Sequence, residues 1–351
     1  MRELTIGNKS VKLPIIQGGM GVGVSRCQLA GAVAREGGIG IISTAQIGYD
    51  EEGFEKDQAG TNCKAIRKHI AKAKEIAGGI GMVGVNVMVA LKHYREHVRE
   101  AVSAGADVII CGAGLPMDLP ELVKEGTSKI APIVSSKRAA ELILKMWSKR
   151  YNRTADFIVV EGPKAGGHLG FSKEQLQDID AIDLNQEIKD IITVKKQYEE
   201  KYSCNIPVIV GGGVFDHADI EHVFELGADG VQIASRFVAT YECDASEEYK
   251  RAYLNAKEED IQIVISPVGM PGRALRNSFI KKLEEKREKV KHCYNCLEKC
   301  NPATVPYCIT EALTNAVNGD IEDGLIFCGS NVGRINRMMS VHELMQELVS
   351  E

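Results

Sequence analysis

Pro207-Val208-Ile209-Val210-Gly211-Gly212-Gly213-Val214 and, one helix length later, Gly227-Ala228-Asp229-Gly230-Val231-Gln232-Ile233-Ala234-Ser235-Arg236 decide how this chain reads. Each stretch holds a short apolar, β-branched run of the kind expected for a parallel strand buried on both faces. Each then ends in small residues that open onto a helix start. Amides at a helix start lack intrahelical partners and the helix dipole favours an anion, so a phosphate can be cradled there without lysine. In α/β barrels this site follows the seventh and eighth strands.

Counting outward from the pair supports that placement. Six similar runs precede it: Pro14 to Gln17, Ile39 to Ser43, Met82 to Val87, Asp107 to Cys111, Ile130 to Val134 and Phe157 to Glu161. Segments with helical spacing alternate with them (Ser25 to Glu36, Leu91 to Ala104, Ser136 to Lys149, His217 to Leu226), and Gly37, Gly105 and Gly227 stand where helix ends favour glycine. Eight βα units predict a closed TIM (β/α)8 barrel, with an open doubly wound sheet as the alternative. The long connections 44–81 and 162–206 predict inserted helices. We assign the barrel to residues 1–280 and a helical extension with a cysteine cluster to 281–351. In that extension Lys281 to Lys291 (KKLEEKREKVK) reads as a solvated helix face and Val341 to Val349 as an amphipathic helix.

Composition narrows the function. With 351 residues, 44% apolar and 26% charged, the chain can bury a large core, which excludes disorder. Forty-three basic against 48 acidic residues give a net charge of -5, which offers no general attraction for nucleic acid or anionic lipid. Apolar runs fall far short of the roughly 20 residues that span a bilayer. The start, Met1-Arg2-Glu3-Leu4-Thr5, carries no apolar signal region, so a cytoplasmic location is expected, in which cysteines serve packing, metal binding or catalysis rather than disulfides. A small-molecule substrate is the expected partner, with homo-oligomerisation open.

Gly18-Gly19-Met20-Gly21-Val22-Gly23 does not fit G-x-G-x-x-G, and no acidic residue ends a suitably placed second strand, which argues against a Rossmann dinucleotide site. Instead, Pro14 to Met20, Gly84-Val85-Asn86, Glu161-Gly162-Pro163-Lys164-Ala165-Gly166-Gly167-His168-Leu169-Gly170, the triple glycine and Gln232 to Phe237 occur in one order. Together they resemble the nitronate monooxygenase family, also called 2-nitropropane dioxygenases, and the related type II, FMN-dependent enoyl-acyl carrier protein reductases. The likeness covers roughly residues 10 to 280 and implies an FMN-binding TIM barrel. It implies that Gly19 and Met20 line the isoalloxazine, that Asn86 hydrogen-bonds the flavin, and that Gly167 approaches the ribityl chain, with Gly166 also among the cofactor-binding residues. Gly212, Gly213, Ala234 and Ser235 would hold the phosphate, with Gln232 also among the cofactor-binding residues. The residue types suit these roles: glycine lets backbone approach a flat ring, and an Asn carboxamide supplies donor and acceptor.

Of eight histidines, His168 stands out because it follows the sixth strand at the rim where barrel active sites are built. The resemblance makes it catalytic, and its near-neutral reference pKa suits proton abstraction beside a nitro group or positioning of an anionic nitronate. The implied reaction passes an electron from an alkyl nitronate to FMN, after which oxygen traps the radical and nitrite leaves. The alternative is an NAD(P)H-dependent enoyl reductase, in which NAD(P)H and the enoyl substrate use the same flavin face in turn. Lys164 stands where the family commonly has an acidic residue, and its charge would suit a nitronate, a carboxylate or a nicotinamide cofactor's phosphates.

Cys293, Cys296, Cys300 and Cys308 form C-x2-C-x3-C-x7-C. Thiolates so spaced can bind tetrahedral Zn²⁺ or a [4Fe–4S] cluster, and thiols that merely pack the tail are the other reading. The spacing is similar to the cluster-binding segment of dienoyl-CoA reductase-type barrels, with a shorter last gap. A flavin-free phosphate-binding barrel of the IMP dehydrogenase type and a metal-binding scaffold are further alternatives. Gly18 to Met20, Asn86 and His168 argue against the first, and eight glycine-rich strand ends against the second. Finally, Pro267 to Asn277 resembles the family's post-barrel substrate-side loop or reads as a surface turn.

Overall fold

The computed structural model describes residues 1–124 and 126–350. Eight parallel strands close into a barrel: β1 Ile15–Gln17, β2 Ile39–Ser43, β3 Met82–Met88, β4 Val108–Gly112, β5 Lys129–Val134, β6 Ile158–Glu161, β7 Val208–Gly211 and β8 Gly230–Ile233. They fall where the β-branched runs predict them. Closure comes from β8 pairing with β1, Val231 opposite Ile15 and Ile233 opposite Gln17. Strand residues are buried on both faces, which is why the sequence lacks a period of two. Ile16, Ile41, Ile110, Ala131, Val159 and Ile209 share the interior cluster with Leu4, Ile6 and Val11, which belong to an N-terminal hairpin. Their neighbours Ile15, Ile42, Ile109, Ile130, Val160 and Val210 pack with the surrounding helices.

The helices Cys27–Arg35, Tyr94–Ser103, Lys137–Tyr151 and His217–Glu225 follow the expected segments, and Gly37, Gly105 and Gly227 end three of them with φ between +78° and +97°. The two long connections hold the helices Gln58–Ala77 and Leu184–Tyr202. None of the described helices is long and apolar enough to cross a membrane.

Beyond β8 the structure departs from the sequence reading in two places. Helix Ser278–Glu285 stops inside the charge run, and the Glu288 amide instead donates to Pro306 O at 3.1 Å, drawing the chain toward the cysteine segment. Pro267–Asn277 is a turn only over residues 267–270, with Met270 in the cavity wall described below; the rest is mostly strand. Ile261–Ile265 and Pro271–Leu275 form a hairpin whose second strand also pairs with the two-residue strand Gly167–His168. The chain after residue 280 folds back over the barrel, and its last helix, Val341–Val349, buries Leu344 and Leu348 there.

Candidate active site

The C-terminal ends of the strands open into a cavity of about 470 Å³, within the roughly 300–1,000 Å³ typical of small-molecule sites. Every candidate catalytic and cofactor residue lines it: Gly19, Met20, Asn86, Gly166, Gly167, His168, Gly212, Gly213, Gln232, Ala234 and Ser235. The four cysteines of the C-terminal motif do not.

The end of β7 is built for close backbone approach. Gly212 and Gly213 have φ of +87° and +121°, and a Cβ on Gly212 would lie 2.6 Å from Gly162 O. Among the described residues the Gly212 and Gly213 amides donate to no group. One expectation needs correction. The helix starting at His217 does not present a free N-terminus, because Asp216 and Asp219 close a capping box over it, with Asp219 N 3.1 Å from Asp216 Oδ1. Arg334 then pairs with Asp216 at 2.6 Å. What stays open at this rim is the glycine turn after β7, beside the one-turn helix Ser235–Val238 after β8.

Across the cavity, register sets two carboxamides. Asn86 lies opposite Ser43 at the end of β3, against Gly19, whose missing side chain leaves the room: a Cβ there would be 2.5 Å from Asn86 Cβ. Gln232 lies opposite Gly211 and beside Gly18. Neither carboxamide hydrogen-bonds within the described residues although both line the cavity, so their donors and acceptors remain for a ligand.

His168 is held by backbone and side chain together. It pairs with Gly272, its Nε2 is 2.7 Å from Ser266 Oγ, and the Phe327 ring packs edge-on at 5.0 Å. The Arg273 guanidinium donates to Pro163 O at 2.8 Å and to Ala165 O, bracing the turn before the histidine. Desolvation lowers the His168 pKa to about 4, so the ring is neutral at physiological pH.

Residues 2–351 match the family model of nitronate monooxygenase. The chain belongs to the nitronate monooxygenase family. A probable nitronate monooxygenase of Bacillus subtilis is 24% identical over 97% of this chain and 96% of its own. An octahydro-1H-indene-4-carboxyl-CoA dehydrogenase of Mycobacterium tuberculosis is 25% identical over 78% of this chain, a match that spans 66% of that relative's length. The structure of FabK from Thermotoga maritima superimposes with a TM-score of 0.71 at 26% identity, covering 97% of this chain and 92% of that one. The protein is thus an oxidoreductase of the nitronate monooxygenase family on a TIM barrel.

This nitronate monooxygenase family member also places residues at the site that motif reading does not single out. Glu161, the last residue of β6, lines the cavity and accepts from Gly170 N at 3.3 Å; desolvation raises its pKa to about 7, against a smaller opposing pull from Arg273. Its position at a strand's C-terminal end is the signal that was available. Ser266 and Phe327 had no such signal, because each reaches His168 from about 100 residues or more away.

The segment around Phe327 forms a strap over the ends of β7 and β8. Gly329 N donates to Ser235 Oγ at 2.9 Å, Asn331 Nδ2 to Gly213 O at 2.7 Å and Ser330 N to Lys164 O at 3.1 Å. A Cβ on Gly166 would meet Cys328 C at 2.5 Å, whereas one on Gly167 meets nothing, so Gly166 serves the strap and Gly167 faces open space. The Lys164 stem lies beside Gly213. Among the described residues its ammonium forms no salt bridge.

Proposed function

We propose that the protein is an FMN-dependent nitronate monooxygenase acting on an alkyl nitronate. The supporting observation is the pairing, in one cavity, of a bare glycine anion cradle with a neutral imidazole locked by Ser266. The residues present fit FMN. The amides of Gly212 and Gly213 suit its phosphate, Gly167 leaves room for the ribityl chain, and Asn86 and Gln232 offer unpaired carboxamides to the ring edge. Bound FMN supplies the electron acceptor, which no side chain here provides.

The chain's own contribution is orientation and charge control. His168, neutral and fixed through Nε2, presents its other ring nitrogen for a hydrogen bond to the nitronate. An anion held there favours the imidazolium, so substrate binding draws a proton onto His168. Glu161, close to half-protonated at neutral pH, sets how much negative charge the nitronate meets. Phe327 and the strap screen this side of the cavity from water.

Lys164 gives a specific reason to keep the enoyl reductase reading in the test. A free ammonium beside the anion cradle also suits the phosphates of NAD(P)H or a CoA thioester. The deciding experiment is steady-state turnover of the purified, FMN-loaded protein. Nitrite release from an alkyl nitronate without NADH supports the monooxygenase. NADH or NADPH oxidation that requires an enoyl thioester, with no nitrite formed, replaces it with the reductase.

A further inference from the structure

Cys293, Cys296, Cys300 and Cys308 line a second, smaller cavity, outside the flavin-type site. Three observations bear on its chemistry. First, Cys293-Tyr294-Asn295-Cys296 forms a tight knuckle: Asn295 has φ +48°, and its amide donates to Cys293 Sγ at 3.4 Å. An N–H aimed at sulfur stabilises thiolate, and the left-handed residue turns the fourth position back toward the first. Second, Cys308 is the N-cap residue of helix Ile309–Val317 and makes no side-chain capping bond there, so its thiol is not committed to the helix. Third, all four cysteines are free thiols. Among the described residues no three such side chains already surround an ion-sized point, so the thiols must turn inward as the ion binds and displaces their protons.

We propose that these four cysteines bind one Zn²⁺ as a structural tetrathiolate centre. Structural zinc takes four thiolates at C-x2–4-C spacing, which Cys293/Cys296 and Cys296/Cys300 both supply beside Cys308 in one cavity; the iron–sulfur alternative is an outcome of the test below. The centre would act as a clasp. Lys92 N donates to Cys296 O and Glu298 N to Ala90 O, both at 3.0 Å, tying the knuckle to the loop after β3. The helix that begins after Cys308 places Leu313 in the wall of the main cavity. Zinc at this point would fix the loop after β3 and one helix of that wall without touching substrate.

The test is metal and flavin analysis of the full chain purified anaerobically without chelator. About one zinc per chain, falling to background in Cys296→Ser and Cys308→Ser but kept in Cys204→Ser, is the expected result. Co²⁺ added to the apo wild-type protein gives a second readout that does not depend on how a serine variant folds, the visible d–d bands of a tetrahedral thiolate site. Iron with stoichiometric sulfide in place of zinc overturns the proposal. So does a wild-type chain that carries no metal and shows no Co²⁺ bands at micromolar concentration. Flavin content in the same samples reports separately on the proposed function.

Discussion

Burial moves two ionisable side chains of the cavity wall, His168 and Glu161, in opposite directions. His168 is held neutral and Glu161 is carried up to about 7, so Glu161, not the histidine, changes charge near neutrality. Above that pH a carboxylate faces an anionic nitronate. Hence kcat/KM for a preformed nitronate is expected to fall as pH rises through about 7, and Glu161→Gln to flatten that limb; an unchanged limb in the variant would assign the titration elsewhere. The same raised pKa has a stability sign. The folded protein keeps a proton that the unfolded chain releases above its ordinary value of 4.5, so this group's contribution is lost as pH climbs through 7. Glu161→Gln is therefore expected to melt higher than wild type at pH 8 and nearly the same at pH 4. For His168→Ala we expect a loss of about 10²–10⁴ in kcat/KM, the range for a positioned acid, base or orienter, with the 450 nm flavin absorbance retained. Full activity in that variant would remove His168 from the reaction.

At the scale of elements, what was legible in the sequence is what local physics determines. Each barrel strand announces itself because burial on both faces demands β-branched residues, and each helix end because a left-handed turn demands glycine. The open glycine turn after the seventh strand was visible for the same reason. The capping of helix His217–Glu225 is equally local, because Asp216 and Asp219 sit at capping-box spacing and leave that helix no free N-terminus to offer. The hairpin Ile261–Leu275 is local, but its pairing with Gly167–His168 joins residues about 100 apart, for which one sequence gives no pattern. These elements set two further expectations. Gly212→Ala forces a Cβ against Gly162 O from a positive φ, costing roughly 1–3 kcal/mol, and should release FMN on gel filtration. Ser266→Ala leaves His168 free to rotate, so kcat should fall more than KM rises, and Ser266→Thr should restore part of it; equal changes in both parameters would point to a binding role instead.

On the scale of the whole molecule, the proposed cofactor site is a seam between barrel and C-terminal strap, because Gly213 and Ser235 are bonded from above by Asn331 and Gly329. A ligand bound in such a seam stabilises both parts at once. Ligand binding to the folded state alone adds RT ln(1 + [L]/Kd), about 2.7 kcal/mol at a hundredfold excess over Kd. In a chain of this size that is worth a few degrees of melting temperature. Excess FMN is thus expected to raise the melting temperature of the apo protein and to slow proteolytic cleavage between residues 286 and 306, the stretch that leads into the strap. Asn331→Ala deletes one bond of the seam, worth about 1 kcal/mol, and should weaken FMN binding several-fold while leaving the apo melting temperature within about 2 °C of wild type. If the variant binds FMN as tightly as the parent, or if FMN protects the barrel and leaves cleavage of the 286–306 stretch unchanged, the strap does not sense the cofactor and the seam is only a packing contact.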